Sequence, residues 1–428
     1  MNTSHPHSYT AFVGIDRSDK KIDITVLDPQ GNRLGQRKIS SKPNSLQDWI
    51  IELRKQFPNG TLALCIEQPC ANLAAFFSRF DFIDLLLINP ATFRKWHDAF
   101  KPSKARDDAT DSTGLAELAH QNYSKLTVWK PDDAKTRKLR ALVEARRSLV
   151  DLRTKLNNQL VALLKNYFPQ ALEITGKYLH GKIACDLLAK WPTLQQIKKA
   201  KPATLRKFYY AHQSRRPDVV EDRIKLIAEA ISLTDDPAIL ESSELHMRAL
   251  IGQFNSLRAS IDKFDREIEE LLNSHEDSAI FKSLPGAGPN LASRLLVAFG
   301  TDRKKFETAS SILDFSGISP VLRQSGNMRM VLRRQACPAF IRQSFLEWVG
   351  QTLTKSLWAR AYYDQQKAKG VKTYTARRAL AYKWIRIIWR CWQERITYDE
   401  TKYIETLVQR KSPLIPAIRE LQLAENKP

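Results

Sequence analysis

The chain has 428 residues, 43% of them apolar, and carries 68 Lys and Arg against 46 Asp and Glu, a formal net charge of +22 with pI ≈ 9.8. That length allows two or three domains with ordinary hydrophobic cores, and that charge calls for a polyanionic partner, DNA or RNA. Binding of a ribosomal or membrane-surface kind would use the charge but leaves the acidic residues described below without a purpose.

The five cysteines are odd in number and form no CxxC pair, so reduced thiols are expected. No apolar run approaches 18 residues and the N-terminus lacks an apolar signal core. A soluble, cytoplasmic protein without a membrane partner is therefore expected.

In chain order, residues 9–15 read as a strand ending in Asp16. Residues 21–27 (Lys-Ile-Asp-Ile-Thr-Val-Leu) alternate as a strand exposed on one face does, and 33–39 return after the Asp28-Pro29-Gln30-Gly31 turn. Helices are expected at 45–57, 70–80 and 109–121, and strands at 61–66 and 82–88. Three meandering strands followed by alternating helices and strands is the ribonuclease H order. The fold class expected for the N-terminal domain is thus α/β, ribonuclease H-like.

Leu142, Leu149, Leu156 and Leu163 then recur every seven residues, with Ala145 and Leu152 three places on. A second seam runs Leu250, Phe254, Leu257, Ile261, Phe264, Ile268, Leu271. Two such segments suggest either an antiparallel hairpin carrying an inserted module at about 168–245 or two arms used for oligomerisation. Residues 281–300 place a Pro-Gly-Ala-Gly turn before an apolar helix, like a helix-hairpin-helix element whose Gly286 and Gly288 let backbone N–H groups approach a phosphate. A tight turn between core helices is the alternative. Residues 281–395 hold 21 Lys and Arg against 6 Asp and Glu, interleaved with aromatics that serve mostly as core at helical spacing and otherwise as stacking platforms. The expected division is 1–128, 129–280, 281–395 and a 396–428 tail.

Two constellations carry chemistry. Asp16 and Glu67 each close an apolar strand, and Asp107, Asp108 and Asp111 stand at the start of a helix. Each alone reads equally as a loop acid or a helix-capping residue. Together, strand acid, strand acid and helix acids are the arrangement in which shared carboxylates hold two divalent ions for phosphoryl transfer. The second constellation is Ser325-Gly326 in a break between helices, flanked by Arg323, Arg329, Arg333 and Arg334. A serine among guanidiniums can attack a phosphodiester, although Ser-Gly is also an ordinary turn, and Ser316-Gly317 has the same composition.

Phe12-Val13-Gly14-Ile15-Asp16, Cys65-Ile66-Glu67 and Asp108-Ala109-Thr110-Asp111 resemble the DEDD transposases of the insertion-sequence 110 and 1111 group, relatives of the Piv invertases. Leu284-Pro285-Gly286-Ala287-Gly288-Pro289, Phe315 to Pro320 and Gln324-Ser325-Gly326 resemble that family's C-terminal transposase domain. The resemblance implies a RuvC-like N-terminal domain, a coiled-coil middle and a mostly α-helical transposase domain. It implies that Asp16, Glu67, Asp108 and Asp111 bind Mg²⁺, two ions being expected, and that Ser325 forms a covalent link to DNA. It also implies a bridge RNA that pairs with donor and target DNA. Asp107 beside Asp108 leaves the third acid open, and the 168–245 region is longer than compact members need.

The expected activity is a Mg²⁺-dependent serine recombinase of an insertion sequence, working as a dimer or, on DNA, a tetramer. Its rivals are a RuvC-like junction resolvase or nuclease that uses water, and a non-catalytic nucleic-acid-binding protein.

Overall fold

A computed structural model describes residues 9–425 apart from 69, 101–107, 177 and 327, and divides the chain into two compact units, 1–133 and 134–428. The first is a mixed six-stranded sheet with helices, and the second is mostly helical.

The sheet is built from β1 (Ala11–Arg17), β2 (Lys21–Leu27), β3 (Arg33–Ser40), β4 (Leu62–Glu67), β5 (Ile83–Ile88) and β6 (Val128–Trp129), in the order β3-β2-β1-β4-β5-β6. β1–β2–β3 form the antiparallel meander, β1, β4 and β5 run parallel, and β6 closes the far edge antiparallel. The parallel strands are almost wholly apolar because helices cover both faces. α1 (Pro43–Gln56) buries Leu46, Trp49, Ile50 and Leu53, and α2 (Ala71–Phe77) adds Phe77 to the same side. α3 (Pro90–Phe100) and α4 (Asp108–Asn122) join the core on the other face through Phe93, Leu115 and Ala119.

β2 departs from the expected half-exposed strand: Ile22 to Leu27 are all buried. The reason is α4, whose Ser112 and Thr113 hydroxyls meet Thr25 Oγ1 at 3.0 and 3.1 Å, so the polar face of β2 is covered by polar partners rather than by water.

In the second unit the long helices Ala134–Tyr167 and Pro237–Asn273 lie antiparallel within one chain. Thr136 meets His275 at 2.9 Å, Arg146 pairs with Asp265, and Leu156 to Leu164 share a core with Met247 to Phe254. Of the two arrangements open from the sequence, this is the hairpin with a module at its tip. Asp236 caps the second helix by accepting from Ala238 N, with Pro237 in the first turn. Of its expected seam, Leu250, Phe254, Leu257, Ile261 and Ile268 are buried, and Phe264 and Leu271 are half-buried.

The first helix differs. Its buried stripe runs Leu139, Val143, Leu156, Leu160, Leu164, while Leu152 is 45% exposed. Leu139 and Val143 serve the core of residues 268–418 and Leu156 onward the core of the inserted module, so the buried face rotates between two partners. A strict seven-residue repeat drifts about 20° per heptad on a straight helix and cannot follow both.

The C-terminal core buries Trp348, Trp358, Trp384 and Trp392. Three of these indoles donate inside the fold, to Pro285 O, Tyr398 Oη and Gly300 O. Tyr398, Leu414 and Ile418 from the last stretch of the chain belong to the same core. Among the described residues no helix is long and apolar enough to cross a membrane.

Candidate active site

Gly14 builds the acidic site. A Cβ at this position would stand 2.0 Å from Ser112 O and 2.4 Å from Ala116 N, so only glycine lets α4 lie directly on β1. The close approach brings Asp111, one residue before Ser112, to the strand end that carries Asp16. Ile15 pairs with Ile66 in the parallel register, which sets Asp16 and Glu67 side by side at the ends of β1 and β4. Asp108 starts α4 one turn before Asp111.

The carboxylates feel one another. Asp16 is pushed up to about 6, first by burial, then by Asp111, Asp108 and Glu67, against one backbone N–H from Arg17. Asp107 lies outside the described residues.

Three neighbours were not evident in the sequence. Asp23, cross-strand partner of Asp16, is 4% exposed and binds Lys38 Nζ at 3.2 Å. Lys38 reaches on to Asp108 at 3.7 Å, and its hydrogen bond to Asp23 holds the ammonium above its ordinary range. His97 of α3 is 1% exposed, with Nε2 3.9 Å from Asp111 Oδ1 and no hydrogen-bond partner for either ring nitrogen.

Among the described residues no three His, Cys, Asp or Glu side chains form a ready metal-binding group. The donor chemistry nevertheless fits a hard cation. Hard cations take carboxylate oxygens, and the burial and carboxylate repulsion that raise Asp16 are what a divalent ion offsets. Asp16, Glu67, Asp108 and Asp111 are the residues that would hold it.

In the break between the helices Ala309–Phe315 and Ala339–Thr352, Ser325 ends the first strand of a two-stranded hairpin, β7 (Val321–Ser325) and β8 (Met328–Leu332), where it pairs with Met328. Gly326 follows at φ +55°, in the left-handed region that a tight two-residue turn demands. The hairpin's strands are only five residues long, too short to show a strand pattern. Ser325 is exposed.

The four arginines are not gathered round the serine. Arg323 shares its face by strand alternation, and Arg329, opposite Gln324, takes the other face. Arg334 is committed to Asp314 at 2.8 Å, and Arg333 lies over the Tyr374 ring at 5.8 Å. Ser316 is buried and donates to Leu313 O, so it is a structural residue.

Beside the hairpin opens a cleft of about 1490 Å³, lined by Arg333, Tyr374, Tyr382, Lys383, Arg386 and Arg390 among others. With the tryptophans consumed by the core, the tyrosines are the rings left to face this basic cleft. Gly286 has φ +70°, and a Cβ there would come 3.1 Å from Gln351 O, so its glycine serves close packing of the turn. Gly288, at φ −64°, caps the helix Pro289–Phe299 with open space around it.

Comparison with known proteins matches most of the chain. A family model for the IS110 DEDD transposases, described as "Transposase", matches residues 13–169, and one described as "Transposase IS116/IS110/IS902 family" matches residues 278–364. A mini-circle protein of Streptomyces coelicolor named as a transposase for IS117 is 25% identical over 94% of this chain and 98% of its own length. The 43.6 kDa protein of insertion element IS110, also from Streptomyces coelicolor, is 22% identical over 85% of this chain and 89% of its own length. The 42 kDa protein of insertion element IS900 from Mycobacterium paratuberculosis is 23% identical over 90% and 96%. With both halves of the chain matched in order, it belongs to the IS110 family of transposases, enzymes that cut and rejoin DNA.

Proposed function

We propose that this transposase moves its insertion sequence by serine phosphoryl transfer, with Mg²⁺ held by Asp16, Glu67, Asp108 and Asp111, on donor and target DNA chosen by a bridge RNA. The observation that carries the reading is the convergence of carboxylates from β1, β4 and α4, where burial and then mutual repulsion raise Asp16 to about 6. The order β3-β2-β1-β4-β5, with parallel β1, β4 and β5 beside an antiparallel meander, supports a ribonuclease H-like, RuvC-like domain.

In this reading Ser325 Oγ attacks a DNA phosphodiester. A serine–phosphate bond forms, one DNA hydroxyl leaves, and the reverse reaction with a different hydroxyl rejoins the strands without outside energy. The hairpin turn keeps the hydroxyl exposed, and Arg323 on the same face is positioned to neutralise phosphate charge. Divalent ions supply charge neutralisation at phosphate oxygens and lower the pKa of bound hydroxyls. Asp23 and Lys38 fix the edge of the acidic site, and His97 backs Asp111.

The basic cleft and its tyrosines suit a nucleic acid that presents both phosphates and bases. Holding donor and target together calls for at least a dimer. The test is a donor-to-target joining assay with purified chain, Mg²⁺ and the RNA that co-purifies. Joining that needs both the RNA and Asp16 supports the reading, and joining by Asp16→Asn overturns the metal site.

A further inference from the structure

A second opening in the helical unit, about 460 Å³, is lined by Arg146, Arg147, Asn290, Arg294, Glu347 and Arg377 together with Leu291, Gly350 and Gln351. None of the serine hairpin's residues lines it. Arg146 and Arg147 come from the first long helix, Asn290 and Arg294 from the helix Pro289–Phe299, and Arg377 from the helix Thr373–Glu394.

The guanidiniums outnumber the acids that face them. Glu347 accepts from Arg147 Nη1 at 2.9 Å and Arg294 Nη1 at 2.5 Å. Asp151 takes the far side of Arg147, and Asp265 that of Arg146. The Asn290 amide oxygen, set toward Arg146, accepts from its Nη1. Arg377 is exposed and has no ion pair among the described residues.

Two donors are left over inside. Arg294 is 5% exposed, and its Nη2 has no hydrogen-bond partner. Arg147 Nε is likewise buried and unpartnered. An unmatched buried donor is costly, more so when charged, so two of them on the residues of one pocket mark a place for an acceptor. The pocket also meets the first turn of an 11-residue helix, where Asn290 and Leu291 N–H groups have no intrahelical acceptor.

Donors converging from three helices suit one multi-oxygen anion. The planar carboxylate position is already taken by Glu347, which leaves a tetrahedral phosphate as the better fit. No aromatic side chain lines the pocket, so it offers nothing for a base to stack on. We propose that this pocket binds a backbone phosphate of duplex DNA and anchors the helical unit on its substrate independently of sequence. The proposal rests on the reading of the chain as a DNA-acting transposase.

The test measures binding of the full chain to a random-sequence duplex over a range of salt. Arg377→Gln and Arg294→Lys are compared with Arg266→Gln, which removes an exposed charge on the second long helix away from the pocket. Arg377→Gln should bind roughly tenfold more weakly at low salt, with a log–log salt slope shallower by about one, and Arg294→Lys, which keeps the charge but loses guanidinium donors, should bind severalfold more weakly at an unchanged slope. Arg266→Gln should match the wild type, as should the melting temperature of Arg377→Gln. A slope and affinity for Arg377→Gln equal to those of Arg266→Gln overturn the pocket and leave the transposase reading standing. Loss confined to an RNA of the same length overturns the assignment to DNA. Absence of salt-dependent duplex binding by the wild type removes the DNA-acting reading and the pocket with it.

Discussion

The imidazole Nε2 of His97 lies 3.9 Å from Asp111 Oδ1, with the ring 1% exposed and flanked by the Phe93 ring in edge contact. Asp111 stands on the first turn of its helix, and the packed imidazole behind it limits the positions its carboxylate can take. Groups that orient a ligating carboxylate cost about 10–100-fold in activity when removed. His97→Ala is therefore expected to lower strand transfer by that order, with Mg²⁺ dependence shifted to higher concentration. His97→Gln, which keeps a nitrogen near Asp111, should recover part of the loss. Equal activity in His97→Ala and the wild type removes His97 from the site.

Asp16 sets a pH dependence. Its pKa is raised from 3.8 to about 6, so the protonated form is favoured by the fold. In metal-free protein this contribution is complete below about pH 4 and is lost as pH rises through 6. The loss should be about 1–2 kcal/mol, allowing for solvent screening at a half-buried group. Urea unfolding in chelator should show it, and Asp16→Asn should abolish it. Mg²⁺ at neutral pH should raise the melting temperature of the wild type but not of Asp16→Asn, by linkage to the bound ion. Asp16→Asn should also lose strand cleavage while keeping nucleic-acid binding.

Gly14→Ala tests the seating of α4. With Ser112 O 2.0 Å from the added methyl, backbone must move. The expected cost is about 3 kcal/mol, at the upper end for overpacking. Any folded remainder should have little activity, because Asp111 moves with the helix. A stable and active Gly14→Ala would contradict this route to the site.

Leu257 is 8% exposed in the seam between the two long helices of one chain. Leu257→Asp is thus expected to destabilise the monomer by about 3 kcal/mol or more rather than to dissociate an oligomer. Light scattering beside thermal melting separates the two. A lower mass at unchanged melting temperature would show that the seam also works between chains.

Much of the acidic site was legible in the sequence because its parts announce themselves locally. Asp16 and Glu67 end apolar runs, and Asp108 and Asp111 open a helix; β1, β4 and α4 fall within two residues of expectation. Asp23, Lys38 and His97 were not legible. Asp23 looked like the wet face of an alternating strand, and only α4, brought down by Gly14, buries it. Lys38 sits on the edge strand β3, where a lysine usually faces solvent. His97 belongs to a helix whose partner is the next helix, a tertiary relation that periodicity does not carry. The serine hairpin was missed because strands of five residues are too short to show the apolar alternation that marks longer ones.

The most direct test of the account is to trap the reaction of the full chain on a nicked substrate with Mg²⁺ and the co-purifying RNA, then look for a denaturation-resistant protein–DNA adduct. The account predicts an adduct whose digest carries the DNA on Ser325, present in Ser316→Ala and lost together with strand transfer in Ser325→Ala. Strand transfer by Ser325→Ala at wild-type rate, with no adduct in either protein, would contradict it and leave water as the nucleophile.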